Sequence, residues 1–120
     1  MKVKELIDVL NPGEVKLFRL YLLSPLYNTS EQLQTLFKIL TESESMPKQE
    51  LYQKIFGKIK YNDKKLRYLF SDLTAHLEKF ITLIELEKDE EDFSLYLQRS
   101  LSVRNAQKAY SFAKHKNSVG

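Results

Sequence analysis

The chain has no cysteine, and its 120 residues include only three glycines (Gly13, Gly57, Gly120) and three prolines (Pro12, Pro25, Pro47). Without thiols there is no disulfide framework, no thiolate zinc site and no cysteine nucleophile. An all-β domain needs turn residues roughly every 8–12 positions, and a phosphate-cradling loop needs clustered glycines. The chain has neither pattern. Long apolar runs are also missing: the longest, Leu20–Leu23, is about a fifth of the roughly 20 residues a membrane span requires. No apolar segment follows the charged start Met1-Lys2-Val3-Lys4-Glu5, because Asp8 and Asn11 interrupt it, so no secretory leader is read there. A cysteine-free chain without a leader is expected in a reducing, cytoplasmic setting, with no membrane partner.

What the chain does have is helical periodicity. Val3, Leu6, Ile7 and Leu10 recur at one helical face. Asn11-Pro12-Gly13-Glu14 reads as a helix start, with asparagine as N-cap, proline in the first turn and glutamate at N3. The helix that follows is apolar nearly all round (Val15, Leu17, Phe18, Leu20–Leu23). It is therefore expected to be buried on more than one side, at the centre of the core, and to stop at Ser24-Pro25. Thr29-Ser30-Glu31-Gln32 caps a third helix carrying Leu33, Leu36, Phe37 and Leu40. Pro47 opens a fourth, with Leu51, Tyr52, Ile55 and Phe56, and Gly57 stops it.

Asn62-Asp63 caps the fifth helix. There Leu66, Phe70, Leu73, Leu77, Phe80 and Ile84 form an a/d heptad seam backed by Leu69 and Ile81. From Asp63 to Lys88 this helix is close to 40 Å long at the α-helical rise. A sixth, amphipathic helix is expected from about Asp92 to Lys116, its start favoured by acids facing the positive end of the helix dipole. The expected fold is all-α, a five- to six-helix bundle with a helix-turn-helix-like unit and a long heptad-patterned fifth helix. It is read as a single domain over 1–120, comprising a compact core (1–88), a C-terminal amphipathic helix (89–116) and a frayed end (117–120). The abrupt close, Lys116-Asn117-Ser118-Val119-Gly120, suggests a piece of a longer chain.

The net charge of +3 is modest, but the charge is blocked. Lys48–Arg67 holds seven basic residues against Glu50 and Asp63, and Asp72–Asp92 holds eight acids against Lys79 and Lys88. After Asp92 there is no acid, while Arg99, Arg104, Lys108, Lys114 and Lys116 remain. Such blocks either pair with one another, within or between copies, or are plain solvated helix faces.

Sets that could carry chemistry are sparse. His76, one turn after Asp72, offers two ligands where structural zinc wants four, and a boundary histidine is the simpler reading; His115 is assigned nothing. The Glu85–Asp92 acids lack the central glycine and spaced oxygens of an EF-hand loop, and no nucleophile elbow occurs. No catalytic residue, metal ligand or cofactor is expected, and the chain is not read as an enzyme.

Two resemblances add to this. Glu50-Leu51 and Phe56, followed by Lys65-Leu66-Arg67 and Phe70-Ser71-Asp72-Leu73, resemble the recognition region of winged helix domains of response-regulator type transcription factors. That likeness implies that Lys64, Lys65, Arg67, Tyr68 and Ser71 face a DNA groove and that Lys54, Lys58 and Lys60 touch phosphates. The sequence departs from the family in having no turn residues for a β-hairpin wing after this helix, and Ile59 and Tyr61 are expected to pack the connection inside. Leu-Asn-Pro-Gly-Glu (10–14), Ser-Pro-Leu-Tyr-Asn (24–28), Leu-Tyr-Gln-Lys-Ile-Phe (51–56), Asp-Lys-Lys-Leu-Arg (63–67) and Glu-Leu-Glu-Lys-Asp-Glu (85–90) resemble the amino-terminal region of long helical proteins of Bacteroidetes. This second likeness implies a helical unit of a larger protein and carries over no functional residue. The leading expectation is a non-enzymatic interaction or scaffold module that self-associates, as a homodimer, through an exposed heptad seam and the tail helix. The alternative is a DNA-binding helix-turn-helix domain.

Overall fold

A computed structural model describes residues 2–43 and 45–119, with side chains up to Ala106. Six α-helices form among the described residues: α1 (Lys2–Asp8), α2 (Pro12–Leu23), α3 (Glu31–Glu42), α4 (Lys48–Phe56), α5 (Asp63–Lys88) and α6 (Glu90–Val119). No strand occurs among them, so the all-α class holds. The chain divides into two compact units, Met1–Ile81 and Thr82–Gly120. The division falls inside α5, seven residues before the limit at 88 expected for the core.

Local chemistry sets the helix ends. At α2 the capping box is complete: Asn11 Oδ1 accepts from the Glu14 N–H at 2.8 Å, and Glu14 Oε1 accepts from the Asn11 N–H at 3.0 Å. Ser30 Oγ caps α3 by accepting from the Leu33 N–H, and Asn62 Oδ1 accepts from the Lys65 N–H at the start of α5. Asp89 is the single residue between α5 and α6, and its carboxylate accepts from the Asp92 N–H. The acidic knot is thus a cap, and α6 begins at Glu90 rather than Asp92. Gly57 closes α4 with φ +90° and ψ −174°, a backbone region that L-residues avoid.

The core of the first unit is built on Phe18. Its ring lies 4.8 Å from Phe37 on α3, 5.1 Å from Phe80 on α5 and 5.2 Å from Tyr21, centroid to centroid. Leu22, Leu36, Leu66, Leu73 and Leu77 complete it, all fully buried. A second aromatic set, Tyr52 with Phe56 and Tyr61, ties α4 to the connection that follows it.

Four expectations are corrected. The α5 seam is not exposed: Leu66, Leu73, Leu77 and Phe80 lie in the core, joined by Leu69 rather than the half-buried Phe70. The seam is taken up by the first unit's own packing and is not free for a partner. α2 is not buried on several sides: it buries Phe18, Tyr21 and Leu22 and leaves Leu17, Leu20 and Leu23 open. α6 is not amphipathic, because Phe93 and Leu95, two residues apart, project from nearly opposite sides of the helix. Ile59 is exposed rather than packed inside; Tyr61 is half-buried and donates to Asp63 Oδ1 at 2.9 Å. Ala109, Tyr110, Phe112, Ala113 and His115 lie outside the described side chains, and Gly120 lies outside the described residues.

Candidate interaction surfaces

Helical periodicity sorts the basic segment into an inner and an outer side. α4, the connection 57–62 and the start of α5 bury Leu51, Tyr52, Leu66 and Leu69. The same periodicity turns Lys54, Lys64, Lys65, Arg67, Tyr68 and Ser71 outward, and Lys58 and Lys60 stand exposed on the connection. All eight candidate nucleic-acid contacts are therefore at the surface. Two of the cations have acid neighbours: Arg67 pairs with Asp63 at 2.9 Å, and Lys54 lies 3.9 Å from Glu50. Lys64 lies over the Tyr68 ring at 5.7 Å. α5 continues straight into the acidic block, so no hairpin wing follows the basic turn among the described residues.

The second surface is the outer side of α2. Leu17, Leu20 and Leu23, spaced by three, are 52%, 56% and 59% exposed, and Leu26 beyond the helix end is exposed as well. Lys16 and Arg19 share this side, and the Arg19 guanidinium donates to Thr41 Oγ1 at 3.1 Å. Leu23 also edges an open crevice of about 230 Å³ between α2 and α3, floored by Leu22 and Phe37 and rimmed by Arg19, Lys38 and Glu42.

α6 provides the third surface, within the second unit. Phe93, Leu95, Tyr96, Leu97, Leu101 and Val103 are each about half exposed, next to the acids Glu90, Glu91 and Asp92 of its first turn.

The structure gives His76 a role that spacing could not supply. Its Nδ1 shares a hydrogen bond of 2.8 Å with Tyr21 Oη, joining α5 to α2 across 55 residues of sequence. Tyr27 stacks on Tyr21 at 4.6 Å, and Lys79 lies 5.5 Å from the centre of the Tyr27 ring. Burial, with Tyr27 adding a smaller effect, raises the Tyr21 phenol above its ordinary value. No group of three metal-ligating side chains occurs among the described residues.

Sequence reasoning also missed Asn28. It is buried, and its amide donates to the carbonyls of Leu22 at 2.8 Å and Ser30 at 3.0 Å, while its Oδ1 accepts from the Ser30 N–H. Gln34 donates to the same Leu22 carbonyl at 3.1 Å. Two side-chain amides thus satisfy one of the carbonyls left open at the end of α2. The only local signal was an asparagine in a turn.

No family profile, curated protein or solved structure matches the chain. Among the described residues no helix is long and apolar enough to cross a membrane.

Proposed function

We propose that this chain is a non-enzymatic protein-interaction module that self-associates as a homodimer, a helical unit of a larger cytoplasmic protein. The observation that carries this reading is the placement of apolar surface: Leu17, Leu20 and Leu23 on α2, and Phe93 to Val103 on α6, are open to water. With the α5 seam buried, these faces take over the role that the heptad pattern suggested for it. The likeness to the amino-terminal region of long helical Bacteroidetes proteins bears on the larger-protein part of this reading and carries over no activity.

The test is multi-angle light scattering on the intact chain over a wide concentration range. The expected result is a mass that rises from about 14 kDa toward twice that value. A constant monomer mass at every concentration would remove the reading.

A second reading rests on a separate observation, the outward display of Lys54, Lys58, Lys60, Lys64, Lys65, Arg67, Tyr68 and Ser71. In it, this segment binds duplex DNA. Binding should then weaken steeply with salt, since each phosphate contact releases counterions, and Lys64→Ala/Arg67→Ala should abolish it. Fluorescence anisotropy with labelled duplex at about 50 mM salt checks this, and an unchanged signal there rejects it.

A further inference from the structure

Tyr68 is the open aromatic of the basic segment. It is 61% exposed on the outward side of α5. Tyr21, Tyr27, Tyr52 and Tyr61 pack ring against ring, whereas Tyr68 meets no other ring among the described residues. Lys64 and Lys65 lie one turn before it, and Ser71 and Asp72 one turn after, so these four are its neighbours on the helix surface. The Lys64 ammonium is 5.7 Å from the ring centre. Lys48–Asp72 carries seven cations and three acids. Two of the acids are engaged, Asp63 with Arg67 and Glu50 with Lys54, and Asp72 is the third. Lys58, Lys60 and Lys65 form no ion pair among the described residues. α1, which shares a crevice with Phe70, Ser71 and Thr74, adds a balanced set: Lys2 and Lys4 against Glu5 and Asp8.

We infer that this surface binds single-stranded nucleic acid, with a base stacked on the Tyr68 ring and the phosphates held by Lys58, Lys60, Lys64 and Lys65. The inference uses residues of the duplex reading but not its groove contacts, and it stands or falls apart from that reading. The open ring decides the occupant. A base offers its face only where it is unstacked, as in a single strand; in a duplex the neighbouring pairs cover the faces and leave the edges. Charge alone would favour the duplex, whose denser phosphates release more counterions for each contact. A preference for the single strand therefore reports the ring and not the lysines. Asp72 repels phosphate on the far side of the ring, so the strand leaves Tyr68 toward the start of α5 and the connection, where the cations without acid partners stand.

Fluorescence anisotropy at about 50 mM salt tests this with three labelled probes: oligo(dT) and oligo(U) of about 12 nucleotides, and the same oligo(dT) annealed to oligo(dA). Stacking and phosphate contact are common to DNA and RNA, so the tighter of the two single strands names the sugar. The expected result is single-strand binding about tenfold tighter than duplex binding. Tyr68→Ala should lose about tenfold for the single strand and leave the duplex unchanged, while Tyr68→Phe, which keeps the ring face, should bind as the unaltered chain does. The chain has no tryptophan, so Tyr68→Trp places a lone indole at the site, and its emission should be quenched when the single strand is added. Duplex binding as tight as single-strand binding overturns the inference and leaves the duplex reading standing. Single-strand binding that survives Tyr68→Ala undiminished also overturns it, since the contact is then to phosphate alone. No binding of any of the three probes overturns both.

Discussion

Phe18→Ala should lower the thermal midpoint by roughly 15–30 °C in a far-ultraviolet circular dichroism melt. Truncating a fully buried phenylalanine costs about 3–5 kcal/mol, and a domain of this size loses about 4–8 °C for each kcal/mol. Phe18 is at the upper end for a geometric reason. Its ring meets Phe37 of α3 and Phe80 of α5 from its own place on α2, so one side chain joins three helices. Neighbours on separate helices cannot all shift inward to fill the hole. Phe18→Leu should cost markedly less, because it keeps most of the volume while losing the edge-on ring contacts. A midpoint shift below roughly 5 °C for Phe18→Ala would show that the aromatic cluster does not hold these helices together.

Asn28→Ala should cost about 2 kcal/mol, which is large for a residue outside every helix. The substitution removes three hydrogen bonds at once and leaves the Ser30 N–H and carbonyl without their side-chain partner. Leu22 keeps the Gln34 amide, so its carbonyl is not orphaned. Gln34→Ala alone should therefore be milder, and the double variant should cost more than the two single changes together, since each amide covers for the other. Urea titrations of the three variants measure this. Strict additivity would show that the two amides act on the Leu22 carbonyl independently.

The particular successes and failures of sequence reasoning have physical causes. The capping box at Asn11 was legible because its partners lie three residues apart and need only local backbone geometry. Gly57 was legible as a helix stop for the same reason. Asn28 was not, because its importance comes from the Leu22 carbonyl, and nothing in the sequence says which carbonyl a turn asparagine will find. The α5 periodicity correctly marked a buried stripe, but period alone does not say whether the partner is another copy or the chain's own α2 and α3. On α2 the signal was saturated. With leucines on every side, composition could not separate the face bearing Phe18 from the one bearing Leu20. The charges of Lys54–Ser71 were equally plain in the sequence, but their common outward display depends on Leu66 and Leu69 facing the core.

Gly57 has a consequence of a different kind. A Cβ built there meets nothing within 4 Å, so the site has room for a side chain and excludes one only through its φ of +90°. Its mirror image, φ −90° with an extended ψ, is ordinary backbone for an L-residue. The constraint is therefore one of handedness rather than size: the backbone angles are ones a D-residue adopts readily, and L-alanine would be strained there. Genetically encoded chemistry offers only one residue without a hand, and the chain uses one of its three glycines here.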